Sequence, residues 1–273
     1  MRNYNDPHYL KKLQYANAEN LKARIRIHRL YSTNPYGMFN WVFDQALLHI
    51  PTQASVLEVG SGNGEMWVEG KERVPAGWDV TLSDFSMGIL NDAKTRLVDV
   101  PFKPEYREID VQSIPYPDAS FDAVFANFML YHVPDRTKAI AEIRRVLKPN
   151  GALFAATLGE NHMKEFNQLA QSIILDTDFN TSIVNRAFSL ENGAEQLKTA
   201  FGDVQLVTYD DHLRVTDVEP MVDYFLSLAN PKITSDHVEK FAEAVRQIIE
   251  KEGAFAIEKV TGMFIGRGYI GEP

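Results

Sequence analysis

The run Val56-Leu57-Glu58-Val59 gives way to Gly60-Ser61-Gly62-Asn63-Gly64-Glu65, and this junction carries the plainest chemistry in the chain. Glycines at a strand-to-helix turn let the backbone bend sharply and let a ligand approach its N–H groups closely. The spacing departs from the dinucleotide fingerprint: Glu65 stands where that fingerprint has its third glycine, and the last glycine comes one residue early, at Gly64. An acid inside the strand, Glu58, suits two phosphates poorly and a cation such as a sulfonium or ammonium well. Asp84 closes the second strand 24 residues after Gly60. A short carboxylate there can accept hydrogen bonds from both hydroxyls of a ribose. Taken alone, Asp84 reads equally as the cap of the helix that Ser86 and Met87 open. Together with the glycine turn, it points to a nucleoside.

Three later motifs extend the pattern. Asp110-Val111-Gln112-Ser113-Ile114-Pro115-Tyr116-Pro117-Asp118 with Ser120-Phe121-Asp122 is an acidic loop before a strand, and Ala126-Asn127-Phe128-Met129-Leu130-Tyr131-His132-Val133 follows that strand's end. Ile143 to Gly151 is a helix-to-strand turn, where Pro149 ends the helix and Asn150-Gly151 is expected to take a left-handed tight turn. In order and spacing these motifs resemble the class I S-adenosylmethionine-dependent methyltransferases over at least residues 55–157.

The resemblance implies S-adenosylmethionine as cofactor and a site for it built from four segments. These are Glu58, Gly60, Ser61, Gly62, Asn63 and Gly64; Asp84, Phe85, Ser86 and Met87; Asp110, Val111 and Gln112; and Asn127, Phe128 and Met129. In relatives, the acid of the third segment contacts the adenine amino group. Tyr31 or Trp41 offers an aromatic face to the sulfonium, an attraction of roughly 0.5 to 2 kcal/mol, and each reads equally as a core residue. Because the leaving group is built into the cofactor, alignment of acceptor, methyl carbon and sulfur does most of the work, worth about 7 to 11 kcal/mol at the favourable limit. No metal is required. For a hydroxyl or ammonium acceptor, His132 is the candidate general base, weighed evenly against a histidine that caps local backbone. Asn34, Tyr131, His162 and His212 are the candidate acceptor-binding residues. Lone histidines are more often structural.

The elements that must position these residues follow from periodicity. Short β-branched runs alternate with helical stretches from Ser55 to Thr157, which implies βαβ units and a doubly wound α/β sheet. The expectation is a seven-stranded, mostly parallel sheet with an N-terminal helical lid (1–50), a cofactor-binding core (51–159), a helical cap inserted after the fifth strand (160–202), and C-terminal strands and helices completing the sheet (203–273). Residues 8–31 read as a pair of amphipathic helices. Trp67, in the first core helix, reads as packing.

Composition narrows the function. The 273 residues carry 28 Lys and Arg against 37 Asp and Glu, a net charge of -9, so the overall field repels a polyphosphate and nucleic acid is not an expected partner. The absence of cysteine excludes disulfides and thiolate chemistry. With neither a signal-like start nor a run of about 18 apolar residues, the sequence reads as cytoplasmic with no membrane partner. The function expected is methyl transfer to oxygen or nitrogen of a small molecule or a peptide end. A cofactor-binding partner protein without catalysis, or a methyltransferase for nucleic acid, is the alternative.

Overall fold

The computed structural model describes residues 19–174, 186–228 and 232–269. The chain divides into two compact units. Of the pair of helices read in residues 8–31, α1 (Glu19–Tyr31) is described, and residues 1–18 lie outside the described set.

The larger unit comprises described residues 36–159, 186–209 and 261–269. It opens with α2 (Met38–Leu47) and continues through β1 (Gln53–Val59), α3 (Glu65–Glu69), β2 (Gly77–Asp84), α4 (Met87–Arg96), β3 (Glu105–Glu108), β4 (Phe121–Phe125), α5 (Arg136–Val146) and β5 (Leu147–Leu158). Strand β1 pairs in parallel with β2 and β4, β2 with β3, and β4 with β5, so these strands place their carboxyl ends along one edge. The smaller unit holds α1, α6 (Lys164–Ile174), α8 (Val218–Ser227) and α9 (Ser235–Glu252); α7 (Gly193–Leu197) belongs to the larger. Strands β6 (Asp203–Val215) and β7 (Phe255–Arg267) contribute residues to both. The sheet order is β3-β2-β1-β4-β5-β7-β6, with β7 antiparallel to β5. The seven-stranded, mostly parallel α/β sheet is therefore present as expected. One crossover, residues 109–120, carries no helix.

Each unit has its own apolar core. In the larger one, Val56, Val80, Leu82, Phe125 and Phe154 from the strands meet Val42 and Phe43 of α2 and Met66 and Trp67 of α3. Trp67 sets its ring edge-on to Phe43 at 5.7 Å and to Phe125 at 6.0 Å, contacts worth about 0.5 to 1.5 kcal/mol each beyond area burial. In the smaller unit, Phe225 of α8 stacks on Phe241 of α9 with ring centroids 4.3 Å apart. Around them lie Ile27, Phe166, Met221, Leu213, Phe255 and Ile257.

One sequence expectation is corrected. Asn150 and Gly151 do not turn through the left-handed region: the only positive-φ residues other than glycine among those described are Ala119, Phe128 and Met163, and Gly151 is not among the positive-φ glycines. The helix stops at Val146, and Leu147 starts an extended run to Leu158. Glycine at 151 answers to crowding, not to φ. A Cβ there would lie 3.1 Å from the carbonyl oxygens of Asp122 and Lys148.

Candidate cofactor and acceptor sites

The glycine turn sits where β1 ends, and Gly60, Gly62 and Gly64 have φ of 69°, 56° and 74°. Residues with a Cβ rarely adopt that region. A second constraint acts at Gly60, where a Cβ would come within 2.8 Å of Met129 Cβ, and at Gly64, where it would meet Leu97 Cδ1 at 2.9 Å. The turn is thus pressed between the segment after β4 and the end of α4.

Asp84 ties this turn to the next helix. Its Oδ2 accepts from the N–H of Gly62 at 3.0 Å and its Oδ1 from the N–H of Ser86 at 3.0 Å. The Ser86 side chain itself makes no cap hydrogen bond to α4, so the cap reading and the loop-binding reading meet in one carboxylate. Burial raises the Asp84 carboxyl above its usual range, although backbone N–H bonds from Ser86, Gly62 and Phe85 pull the other way. At the end of α4, Arg96 donates to the carbonyl of Asn63 at 3.0 Å and pairs with Glu65 at 2.6 Å. Ser61 is held to the neighbouring strand by its N–H on the Ser83 carbonyl.

Glu58 is 2% exposed. Its Oε2 accepts from the Trp67 indole N–H at 2.6 Å and its Oε1 from Asn127 Nδ2 at 3.0 Å. Burial pushes its carboxyl up to about 7, against the lowering effect of those two bonds. Sequence reasoning read Trp67 as packing; it packs, and it also holds the buried acid. A tryptophan nine residues from an acid gives no local sign of such a bond, because only the return of α3 onto β1 brings them together.

The other cofactor candidates take ordered places. Asp110 Oδ1 accepts from both the backbone N–H and the side-chain amide of Gln112, and Gln112 Oε1 accepts from the N–H of Asp135, the capping residue of α5. Val111 beside them is buried. Asn127, Phe128 and Met129 follow β4. Phe128 has φ 55°, its N–H reaches the Ala156 carbonyl at 2.8 Å, and its ring lies edge-on to Phe39 at 6.3 Å. Phe85 and Met87 are exposed at the start of α4. His132 ends a short 3₁₀ turn, Leu130–His132, with the buried Tyr131 ring 4.6 Å away.

The remaining candidates belong to the smaller unit. The Tyr31 hydroxyl donates to Asp217 Oδ2 at 2.8 Å, and burial together with that carboxylate raises it to about 12. Asn34 donates its backbone N–H to Asp211 Oδ1 at 3.0 Å and its amide to the Asp210 carbonyl at 2.9 Å. His212 is exposed. His162 is 6% exposed, and burial, reinforced by the nearby Lys259 ammonium, lowers it to about 3. Sequence reasoning gave no site role to His28, Lys259 or Asp211, whose charges and rings surround His162 here.

The donor set at the glycine turn fits a nucleoside bearing a cationic amino-acid arm. Two buried polar atoms in or next to it, Ser61 Oγ and Asn127 Oδ1, have no protein partner, and such atoms are normally satisfied by water or ligand. A seven-stranded sheet in this order, with a left-handed glycine turn after β1 and an acid at the end of β2, is the arrangement implied by the resemblance of the sequence motifs to the class I methyltransferases.

The comparisons agree. Residues 57–155 match the family described as Methyltransferase domain. The demethylmenaquinone methyltransferase of Deinococcus radiodurans is 38% identical over 109 residues, which is 40% of this chain and 44% of that protein. The ubiquinone/menaquinone biosynthesis C-methyltransferase UbiE of Methylococcus capsulatus is 31% identical over 118 residues, 42% of this chain and 48% of that protein. The chain thus spans about half the length of the curated relatives it matches. Among solved structures, phosphoethanolamine N-methyltransferase 2 of Haemonchus contortus with S-adenosyl-L-methionine has a TM-score of 0.59 at 18% identity, over 98% of this chain and 60% of that one. YcgJ of Bacillus subtilis has a TM-score of 0.57 at 15% identity, over 85% of this chain and 98% of that one. At these identities the structural likeness speaks for the fold. No helix among the described residues is long and apolar enough to cross a membrane.

Proposed function

We propose that the chain transfers a methyl group from S-adenosylmethionine to a small-molecule acceptor. The observation that carries this reading is the left-handed turn Gly60–Gly64 clamped to Asp84, with the partnerless Ser61 Oγ in it and Asn127 Oδ1 behind it. Bound there, the cofactor supplies a methyl on a sulfonium that departs as a neutral thioether.

The chain's own residues do the rest. Asp84 accepts from the ribose hydroxyls while its backbone bonds keep the turn in shape. Asp110, fixed by Gln112, faces the adenine amino group, with Val111 as apolar cover. Glu58, held by Trp67 and Asn127, places a carboxyl of tunable charge under the cationic arm. Phe85, Ser86, Met87, Phe128 and Met129 complete the walls. His132 takes the acceptor's proton where the acceptor is a hydroxyl or an ammonium. Tyr131, in the same unit as the glycine turn, contacts the acceptor.

A small molecule is favoured because the two curated relatives named above act, by their names, on quinones or in quinone biosynthesis; neither name points to a peptide end. Oxygen and nitrogen are the acceptor atoms read from the sequence, and the C-methyltransferase relatives add ring carbon to the set to be screened.

The test is calorimetry with S-adenosylhomocysteine, followed by transfer of isotopically labelled methyl to a panel of hydroquinones, phenols and amines. Micromolar binding with labelled product is the expected result. Failure to bind at millimolar concentration defeats the reading, and binding without transfer to any member favours a non-catalytic cofactor-binding partner.

A further inference from the structure

The smaller unit contains a buried polar cluster that the cofactor site does not use. Lys259 of β7 pairs with Asp211 of β6, their side chains only 9% and 1% exposed. Asp211 also accepts from the Ser32 hydroxyl at 2.6 Å and from the N–H groups of Asn34 and His212. Beside this pair stand two histidines, His28 of α1 and His162 just before α6, with ring centroids 6.1 Å apart.

The two rings have complementary valences. His162 Nδ1 accepts the backbone N–H of Val260 at 3.2 Å, so in the neutral imidazole the proton sits on Nε2, which is a donor. His28 Nδ1 is sealed from solvent and has no hydrogen-bond partner in the protein, leaving a buried polar atom that needs a ligand or a water. A single oxygen bridging two imidazoles, with hydrogen bonds of about 2.8 Å on each side, sets the ring centroids roughly 6 to 7 Å apart. The observed spacing lies in that range. An oxygen that both donates and accepts belongs to a hydroxyl or a water.

We propose that His28 and His162 together bind the hydroxyl of a phenolic or enolic ligand, His162 donating from Nε2 to its oxygen and His28 Nδ1 accepting from its O–H. The site is held ready by its neighbours. Lys259, Asp211, His162 and the Tyr224 ring of α8, edge-on to His28 at 6.3 Å, are the titratable groups around His28. Burial first, and the Lys259 ammonium second, hold both imidazoles uncharged near neutral pH. Uncharged rings can engage a hydroxyl from both sides, whereas two imidazolium rings only donate. The adjacent ammonium also favours whatever negative charge the ligand oxygen develops.

The test is binding of 1-naphthol, followed by its fluorescence, against 1-methoxynaphthalene, which lacks the donor. Naphthol should bind the wild-type chain about tenfold more tightly than its methyl ether, the scale of one well-placed buried hydrogen bond. His28→Phe and His162→Phe should each abolish that preference. His28→Asn and His162→Gln, which keep an amide near the working nitrogen, should retain most of it, and a melting curve for each variant checks that it is folded. Equal binding of the two probes by wild type, no binding included, overturns the proposal and leaves the pair holding internal water. So does a preference that survives both phenylalanine variants. Loss of S-adenosylhomocysteine binding with naphthol discrimination intact would instead refute the methyl-transfer reading alone.

Discussion

The indole N–H of Trp67 donates to Glu58 Oε2 across 2.6 Å, and both side chains are buried. This bond is one of two that stabilise the charged form of an acid which burial holds near neutral pH. The cofactor reading therefore has a direct proton signature. A cation arriving beside Glu58 favours the carboxylate, so binding near pH 6 to 7 should release a proton. Calorimetry of S-adenosylmethionine in buffers of different ionisation enthalpy measures it. Glu58→Gln should bind without proton release, and a wild-type chain that releases none removes Glu58 from the site.

Stability should show the same group with the opposite dependence. The folded pKa of Glu58 is raised to about 7 from a usual value of 4.5, so the folded state binds more protons than the unfolded one between these values. Glu58's contribution is fully favourable below the unfolded pKa and is lost as pH rises through about 7. Urea midpoints for wild type and Glu58→Gln between pH 5 and 8 should converge at the acid end and separate at the alkaline end, with Gln the more stable. Trp67→Phe removes one donor and should lower stability by about 1 to 3 kcal/mol.

At Gly60, two independent constraints predict a large effect from a small change. Ala at this position must adopt φ near 69° and place its Cβ 2.8 Å from Met129 Cβ. Gly60→Ala should cost roughly 1 to 3 kcal/mol in denaturant unfolding, with much weaker cofactor binding. Met129→Ala should not rescue it, because the first collision is with the Cβ that alanine keeps.

Asp84→Ala should separate less cleanly into binding and stability. The substitution removes hydrogen bonds to Gly62 and Ser86 together, so a loss of about 1 kcal/mol is expected from the missing cap alone. Cofactor affinity should fall about tenfold or more by calorimetry. Unchanged affinity would show that the carboxylate serves only the backbone.

The Lys259–Asp211 pair gives a test confined to the smaller unit. Removing one partner strands a buried charge, and Lys259→Met should cost about 3 to 5 kcal/mol by denaturation. Adding Asp211→Asn should recover part of the loss, since the stranded charge goes with it.

The sheet was legible in the sequence because β1, β2 and β4 are short apolar runs, helical stretches separate most of the parallel strands, and the glycine turn and Asp84 carry their spacing in the primary structure. The contacts that tune the site were not. Glu58–Trp67 and Glu58–Asn127 join residues 9 and 69 positions apart, and nothing local marks them. The turn at Asn150-Gly151 was misread because crowding against the Asp122 and Lys148 carbonyls and left-handed geometry both select glycine, and only coordinates tell them apart. His28 was hidden for a third reason: the helical spacing sets it on the side of Leu21 and Ile25, away from the basic residues, but its sealed Nδ1 is a property of the folded unit.

Phe128 holds a left-handed backbone that a glycine would adopt without cost. Glycine there would relax the peptide but give up the edge-on contact with Phe39 and widen the choice of paths for the segment that carries Met129 onto Gly60. Residue 128 therefore keeps a strained peptide for the sake of its ring, and under the cofactor reading its relaxation would loosen the seat of Met129 against the glycine turn.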